Sequence, residues 1–308
     1  MKRNPLVGEL CAEFAGTMIL ILFGCGVVAQ VVTTAGTDAP AGDHDSIAWA
    51  WGLGVVLGVY VAARLSGGHI NPAVTIALAA FKGFPWRKVA PYCLAQTAGA
   101  FVAALIVRYT YADLIATIDP DHTIATQGIF STLPGNGVYD VSIGTAFADQ
   151  VVGTAILVFV VLALTTATNN PPMANLGPVV VGLLVVAIGM AWGTNAGYAI
   201  NPARDFGPRL ASLFTGYGTA MEDQNGQLYF WLPIVAPIVG GLVGGLLFKY
   251  LVDMHLPDEE ELDDEVAEPE DWGTPPVSEP RAEVVAAEEP DSPPVSEPLA
   301  EHAGRAGR

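Results

Sequence analysis

Ser66-Gly67-Gly68-His69-Ile70-Asn71-Pro72-Ala73 and Asn195-Ala196-Gly197-Tyr198-Ala199-Ile200-Asn201-Pro202-Ala203 close on the same tripeptide, Asn-Pro-Ala. One copy of so short a motif carries little weight. Here each copy follows a Gly-containing approach and opens a segment too short to cross a membrane, Val74 to Ala80 in one case and Arg204 to Phe214 in the other. Each segment is about half of the ~20 residues a bilayer-spanning helix needs. Irregular backbone at membrane depth is tolerated only where protein buries it or water reaches it. Two half-helices entering from opposite faces and meeting tip to tip satisfy that condition. Pro72 and Pro202 then take the first helical position, where the missing N–H costs nothing. Asn71 and Asn201 become N-caps, with the side-chain oxygen turned to the helix and the NH₂ free to face a lumen.

The surrounding composition agrees. The chain is 52% hydrophobic and 14% charged, with a mean hydropathy of +0.44, which places it among membrane proteins. Six runs are long enough to span: Leu10–Val32, Ile47–Leu65, Val89–Tyr109, Ile143–Thr166, Leu176–Trp192 and Phe230–Val252. A buried core helix explains any one of them but not all six. The expected class is therefore an all-α membrane protein with six transmembrane helices and two re-entrant half-helices.

Basic residues orient the bundle. Lys2 and Arg3 precede the first run, Arg64, Lys82, Arg87 and Lys88 lie between the second and third, and Lys249 closes the sixth. The connections Thr33–Ser46 and Thr110–Ser142 carry neither Lys nor Arg. The positive-inside rule then puts both termini in the cytoplasm, with the chain multi-pass in the plasma (inner) membrane. A cleavable leader is the rival reading of the first run. Glu9 and Glu13 interrupt that run, and the repeat described next requires it as a span.

The two halves, about 6–110 and 143–252, echo each other. Glu13-Phe14-Ala15-Gly16-Thr17 resembles Gln150-Val151-Val152-Gly153-Thr154, and Ala95-Gln96-Thr97-Ala98-Gly99 resembles Ala236-Pro237-Ile238-Val239-Gly240. Three spans per copy force opposite orientations in the membrane, giving an inverted repeat with its site at the midplane. The recurring glycines allow close helix approach. Cys11, Cys25 and Cys93 fall within spans without metal-ligand spacing and serve as small packing residues.

These motifs resemble the aquaporin (major intrinsic protein) family over most of 6–252. Asn201-Pro202-Ala203-Arg204-Asp205-Phe206-Gly207-Pro208-Arg209 is similar to its glycerol facilitator, or aquaglyceroporin, branch, with Asp205 as the branch marker. The resemblance implies one pore per protomer in a homotetramer, with a selectivity constriction at Trp51, Gly189, Tyr198 and Arg204. Trp51 and Tyr198 would offer glycerol's carbons an apolar corner, Arg204 would donate to its hydroxyls, and Gly189 would leave width. Tyr198 stands where bacterial glycerol channels commonly have Phe. His69 and the carbonyls of Gly67, Gly68, Tyr198 and Ala199 would line the path to the central Asn71 and Asn201. Glu13 would accept the outward-pointing N–H groups of the first approach. In the second half Gln150 replaces the usual glutamate, and Gln150→Glu is expected to be tolerated. Asp149, about 100° further round the helix, does not substitute for it.

The expected function is passive conduction of glycerol and other small neutral solutes with some water, excluding ions and protons. A water-selective pore is the nearest alternative, and a secondary transporter with broken helices the rival from another class. No paired carboxylates, metal cluster or nucleophile constellation suggests an enzyme. No cofactor and no nucleic-acid partner is implied; the partners are solutes, water, the lipid bilayer and further copies of the chain. From residue 253 to 308 the chain holds 18 acidic and 3 basic residues and repeats Pro-Pro-Val-Ser-Glu-Pro at 275–280 and 293–298. Such a composition reads as a disordered cytoplasmic tail beyond a channel domain of 1–252.

Overall fold

The structure, a computed structural model, describes residues 5–258. Helices α1 (Pro5–Thr34), α2 (His44–Ser66), α3 (Pro72–Phe81) and α4 (Trp86–Thr110) form the first half. Short helices α5 (Ala112–Ile118) and α6 (Ile124–Gln127) lie in the connection, and α7 (Ile143–Thr165), α8 (Gly177–Ala196), α9 (Pro202–Phe214) and α10 (Leu232–Leu251) form the second. Among the described residues, six helices are long and apolar enough to span a membrane. The fifth expected span runs on to Ala196, four residues further than its composition suggested.

Helix ends follow local chemistry. Asp43 caps α2 in a reciprocal box: its carboxylate accepts from Ser46 N–H at 3.0 Å, and its own N–H donates to Ser46 Oγ at 3.2 Å. Helix α3 has 10 residues, about 15 Å at 1.5 Å per residue, half of a hydrocarbon core of ~30 Å. The half-helices are exchanged between halves: α3 packs on α10, and α9 on α4. This swap interlocks the repeats.

Glycine sets how closely the halves meet. A Cβ on Gly52 would stand 2.6 Å from the Gly182 carbonyl, and one on Gly182 would stand 2.7 Å from the Gly52 carbonyl. The α2–α8 crossing therefore has no room for a methyl on either side. The connection 110–142 is held by specific hydrogen bonds. The Asp119 carboxylate accepts from Thr126 Oγ1 at 2.7 Å, and the Thr126 and Tyr217 hydroxyls lie 2.8 Å apart. At the other side of the bundle, Asp253 pairs with Lys82 at 2.8 Å. The ordered chain thus passes the expected boundary at 252, while the expected tail from 259 on lies outside the described residues.

Gly52→Ala should destabilise the fold by about 1–3 kcal/mol, the usual cost of overpacking. Thermal melting of the purified protein in detergent would show it as a clearly lowered midpoint. A midpoint equal to the parent's would mean that the α2–α8 crossing relaxes freely.

Candidate functional site

The Asn-Pro-Ala turns meet at the centre of the bundle. Asn71 Oδ1 accepts from Ala73 N–H at 2.9 Å, and Asn201 Oδ1 accepts from Ala203 and Arg204 N–H at 3.0 and 3.2 Å. Both asparagines are therefore N-caps with proline following, as expected. Their NH₂ groups are not wholly free. Asn71 Nδ2 donates to the Ile200 carbonyl at 2.9 Å, and Asn201 Nδ2 donates to the Ile70 carbonyl at 2.8 Å. One hydrogen of each amide is spent across the pseudo-two-fold, which leaves one for the lumen.

The carbonyls are aimed by unusual backbone. Ile70 and Ile200 have φ of 42° and 41°, and Tyr198 has 35°. A β-branched residue in the left-handed region is an outlier costing about 1–3 kcal/mol. Glu13 restrains the first strained segment. Its carboxylate, fully buried, accepts from Ser66 Oγ at 2.6 Å, His69 N–H at 3.0 Å, Ile70 N–H at 2.7 Å and Gln96 Nε2 at 2.7 Å. Four donors are what an ionised buried carboxylate needs.

The second segment is held differently. Gln150 Oε1 accepts from Ile200 N–H at 2.9 Å, while its Nε2 donates to the Ala196 carbonyl at 2.9 Å. Where the first half offers the hydroxyl of Ser66 and the amide of Gln96, the second has Ala196 and Pro237. Of the four donors that Glu13 receives, only the counterpart at Ile200 N–H reaches this side chain, and a carboxylate there would face the Ala196 carbonyl oxygen. The amide fits both partners, and this geometry argues against the expected tolerance of Gln150→Glu.

A cavity of about 420 Å³ runs past these groups, lined by His69, Asn71 and Asn201 and reaching Trp51, Tyr198 and Arg204. The carbonyl-bearing residues Gly67, Gly68 and Ala199 also line it. His69 Nδ1 lies 3.1 Å from Thr75 Oγ1, which holds the ring beside the cavity. The Arg204 guanidinium carbon sits 3.9 Å over the Trp51 ring. Gly189 acts indirectly. A Cβ there would meet Tyr198 Cζ at 2.9 Å, so the width expected at Gly189 is occupied by the Tyr198 ring.

The family described as Major intrinsic protein matches residues 1–248. The chain belongs to this family. A probable aquaglyceroporin-2 of Gibberella zeae is 44% identical over 235 residues, covering 73% of this chain and 67% of that protein. An aquaglyceroporin-2 of Rhizophagus irregularis is 44% identical over 234 residues, with coverage of 74% and 72%. An aquaporin of Laccaria bicolor is 41% identical over 249 residues, with coverage of 80% and 74%. The structure of the aquaglyceroporin from Plasmodium falciparum superposes with a TM-score of 0.72 at 32% identity, covering 81% of this chain and 98% of that one.

Within this major intrinsic protein, Asp205 does more than mark a branch. Fully buried, it pairs with Arg209 at 2.8 Å and accepts from Thr132 N–H and Oγ1, both at 2.7 Å. Arg209 continues to the carbonyls of Ala220 and Thr132 at 2.8 and 2.7 Å. The pair therefore pins the 110–142 connection to the half-helix that carries Arg204. Sequence reasoning missed Thr132 and Arg209 as partners, and it missed the strained Ile70 and Ile200. The shared Ile before each Asn was the available signal.

Glu13→Ala and Gln150→Glu should both lower melting in detergent, each by the equivalent of about 1–3 kcal/mol per group left unpaired. Glu13→Ala strands more donors and should be the worse. A Gln150→Glu protein as stable and conductive as the parent would contradict the proposed donor role of Nε2.

Proposed function

We propose that the protein is a passive channel for glycerol and other small neutral solutes, with some water, that excludes ions and protons. The observation that carries this reading is the cavity joining Asn71 and Asn201 to an amphipathic constriction. Trp51 and Tyr198 present aromatic surface to the carbons of a polyol, and Arg204 presents donors to its hydroxyls. Carbonyls on the left-handed approaches then accept hydrogen bonds in turn. At the midplane, the remaining N–H of each asparagine donates to one solute oxygen. An oxygen held by two donors cannot also accept a proton along the file. Two helix N-termini, each equivalent to roughly +0.5 charge, meet there and oppose cations together with Arg204.

The apolar face of α2, with Trp49, Leu53, Leu57 and Val61 exposed, suits contact with lipid or with another protomer. Assembly as a homotetramer in the plasma membrane is the arrangement the family resemblance implies. Lys82, Arg87 and Lys88 share the side of the bundle that carries both chain ends, which supports cytoplasmic termini. The six membrane-spanning helices lie within residues 5–258, and the acidic segment from residue 259 on lies outside the described residues.

Reconstituted in proteoliposomes, the protein should conduct glycerol downhill without saturation at millimolar solute and without response to a proton gradient. Stopped-flow light scattering across glycerol, urea and water tests this; strict dependence on a proton gradient would favour a carrier. Gly189→His should cut glycerol flux at least about tenfold, because the new side chain drives the Tyr198 ring into the lumen, while water loses less. Parental glycerol flux in a well-folded Gly189→His protein would remove Tyr198 from the constriction. Deleting residues 259–308, which spares the Lys82–Asp253 pair, should leave flux per protein unchanged in the same assay.

A further inference from the structure

The second half does carry a carboxylate, one residue away from where the repeat places it. Asp149 is only 7% exposed, and its Oδ1 accepts from Asn195 Nδ2 at 3.1 Å. Its Oδ2 is buried without a hydrogen-bond partner. No ion pair among the described residues includes it. Ala146, Phe147, Val151, Ala196 and Tyr229, from α7, α8 and the segment before α10, form one apolar cluster at this end of α7.

As a stabilising device this arrangement is poor. A buried carboxylate with a single neutral donor costs more in desolvation than the bond returns. It also binds the last turn of α8, where the helix dipole disfavours negative charge. An apolar side chain would serve folding better. What Asp149 supplies is position. Asn195 stands three residues before Tyr198, and α8 ends between them at Gly197, with φ of 70°. Gln150, the next residue on α7, holds the Ala196 carbonyl and the Ile200 N–H. Asp149 and Gln150 together therefore grip the chain on both sides of Tyr198, whose own φ of 35° is strained.

We propose that Asp149 is a positioning residue of the constriction: by holding Asn195 it fixes the last turn of α8, hence the seat of the Tyr198 ring over Gly189, and so sets the ratio of glycerol to water conducted. This rests on the channel reading above. The residue does not replace the missing glutamate at the N–H groups; it acts on the side chain at the start of the segment.

The test uses full-length protein in proteoliposomes, with glycerol and water permeability measured on the same vesicles and melting measured in detergent. Asp149→Val and Asn195→Ala should each shift the glycerol-to-water ratio by about 3- to 10-fold, the factor one hydrogen bond represents, and the double variant should shift it no further. Asp149→Asn keeps an accepting oxygen and should hold the parental ratio within about twofold. Asp149→Val should melt no lower than the parent. An unchanged ratio in both single variants overturns the proposal. So does loss of folding or a lowered melting point in Asp149→Val, since either makes the residue structural. A parent that conducts water but no glycerol would overturn the solute reading alone. The displacement of Tyr198 would then be read as a changed water permeability in the two variants, and its absence would overturn the positioning role.

Discussion

Two amide bonds across the centre of the bundle govern the rest of the architecture. Asn71 donates to the Ile200 carbonyl, and Asn201 donates to the Ile70 carbonyl. Each asparagine thus caps its own half-helix and ties down the approach segment of the other half. That arrangement demands that both isoleucine carbonyls point inward, which in turn demands left-handed backbone at Ile70 and Ile200. Left-handed isoleucine is costly, so the segment needs an acceptor for the N–H groups that turn outward. Glu13 and Gln150 are those acceptors. Cap, strain and support form one chain of necessity.

The same centre dictates how the outer helices pack. For the half-helix tips to meet, α3 must reach α10 and α9 must reach α4, and the crossing helices must come close enough to enclose them. Gly16 and Gly153 show the constraint in both copies. A Cβ on Gly16 would meet Ile70 Cγ2 at 2.8 Å, and a Cβ on Gly153 would meet Ile200 Cγ2 at 3.1 Å. The glycines leave room for the strained isoleucines themselves. Small residues at these positions are therefore tied to the site and not only to helix association.

Much of this was legible before any coordinates. Span lengths, the two Asn-Pro-Ala turns and the echo between halves led to six spans, two half-helices and an inverted repeat, because hydrophobic length and capping chemistry act locally. The roles that depend on a partner far along the chain were not legible. Nothing local tells that Asp205 binds Thr132 across 73 residues, or that Tyr198 fills the space beside Gly189. Seen alone, Gln150 is simply an amide where relatives usually carry a glutamate. Set beside Ala196 and Pro237, which replace a hydroxyl and an amide, the neutral side chain is the one the site can satisfy. That comparison was available in the repeat. The 110–142 connection was harder, since its order comes from isolated hydrogen bonds without any period.

The unlike support of the two approaches matters for charge along the path. The first approach is backed by an ionised, four-fold bonded carboxylate, which faces the half of the lumen nearer the chain ends. The second is backed by a neutral amide, and its lumen carries Arg204 instead. A solute passing the centre therefore moves between a region with negative charge behind its wall and one with positive charge in its wall. Between them the half-helix N-termini add roughly +0.5 charge each. A cation is opposed at the centre and again at Arg204, and Glu13 offers it little relief because all its lone-pair directions are already engaged by four donors. An anion drawn by Arg204 must shed its water at a constriction walled by Trp51 and Tyr198, where aromatic surface returns nothing for that loss. A neutral solute with several hydroxyls meets neither penalty. It exchanges water for the guanidinium, then for backbone carbonyls, then for the two asparagine amides. On the proposed channel reading, the unequal halves oppose charge of either sign while a neutral polyol meets a hydrogen-bonding partner at each stage.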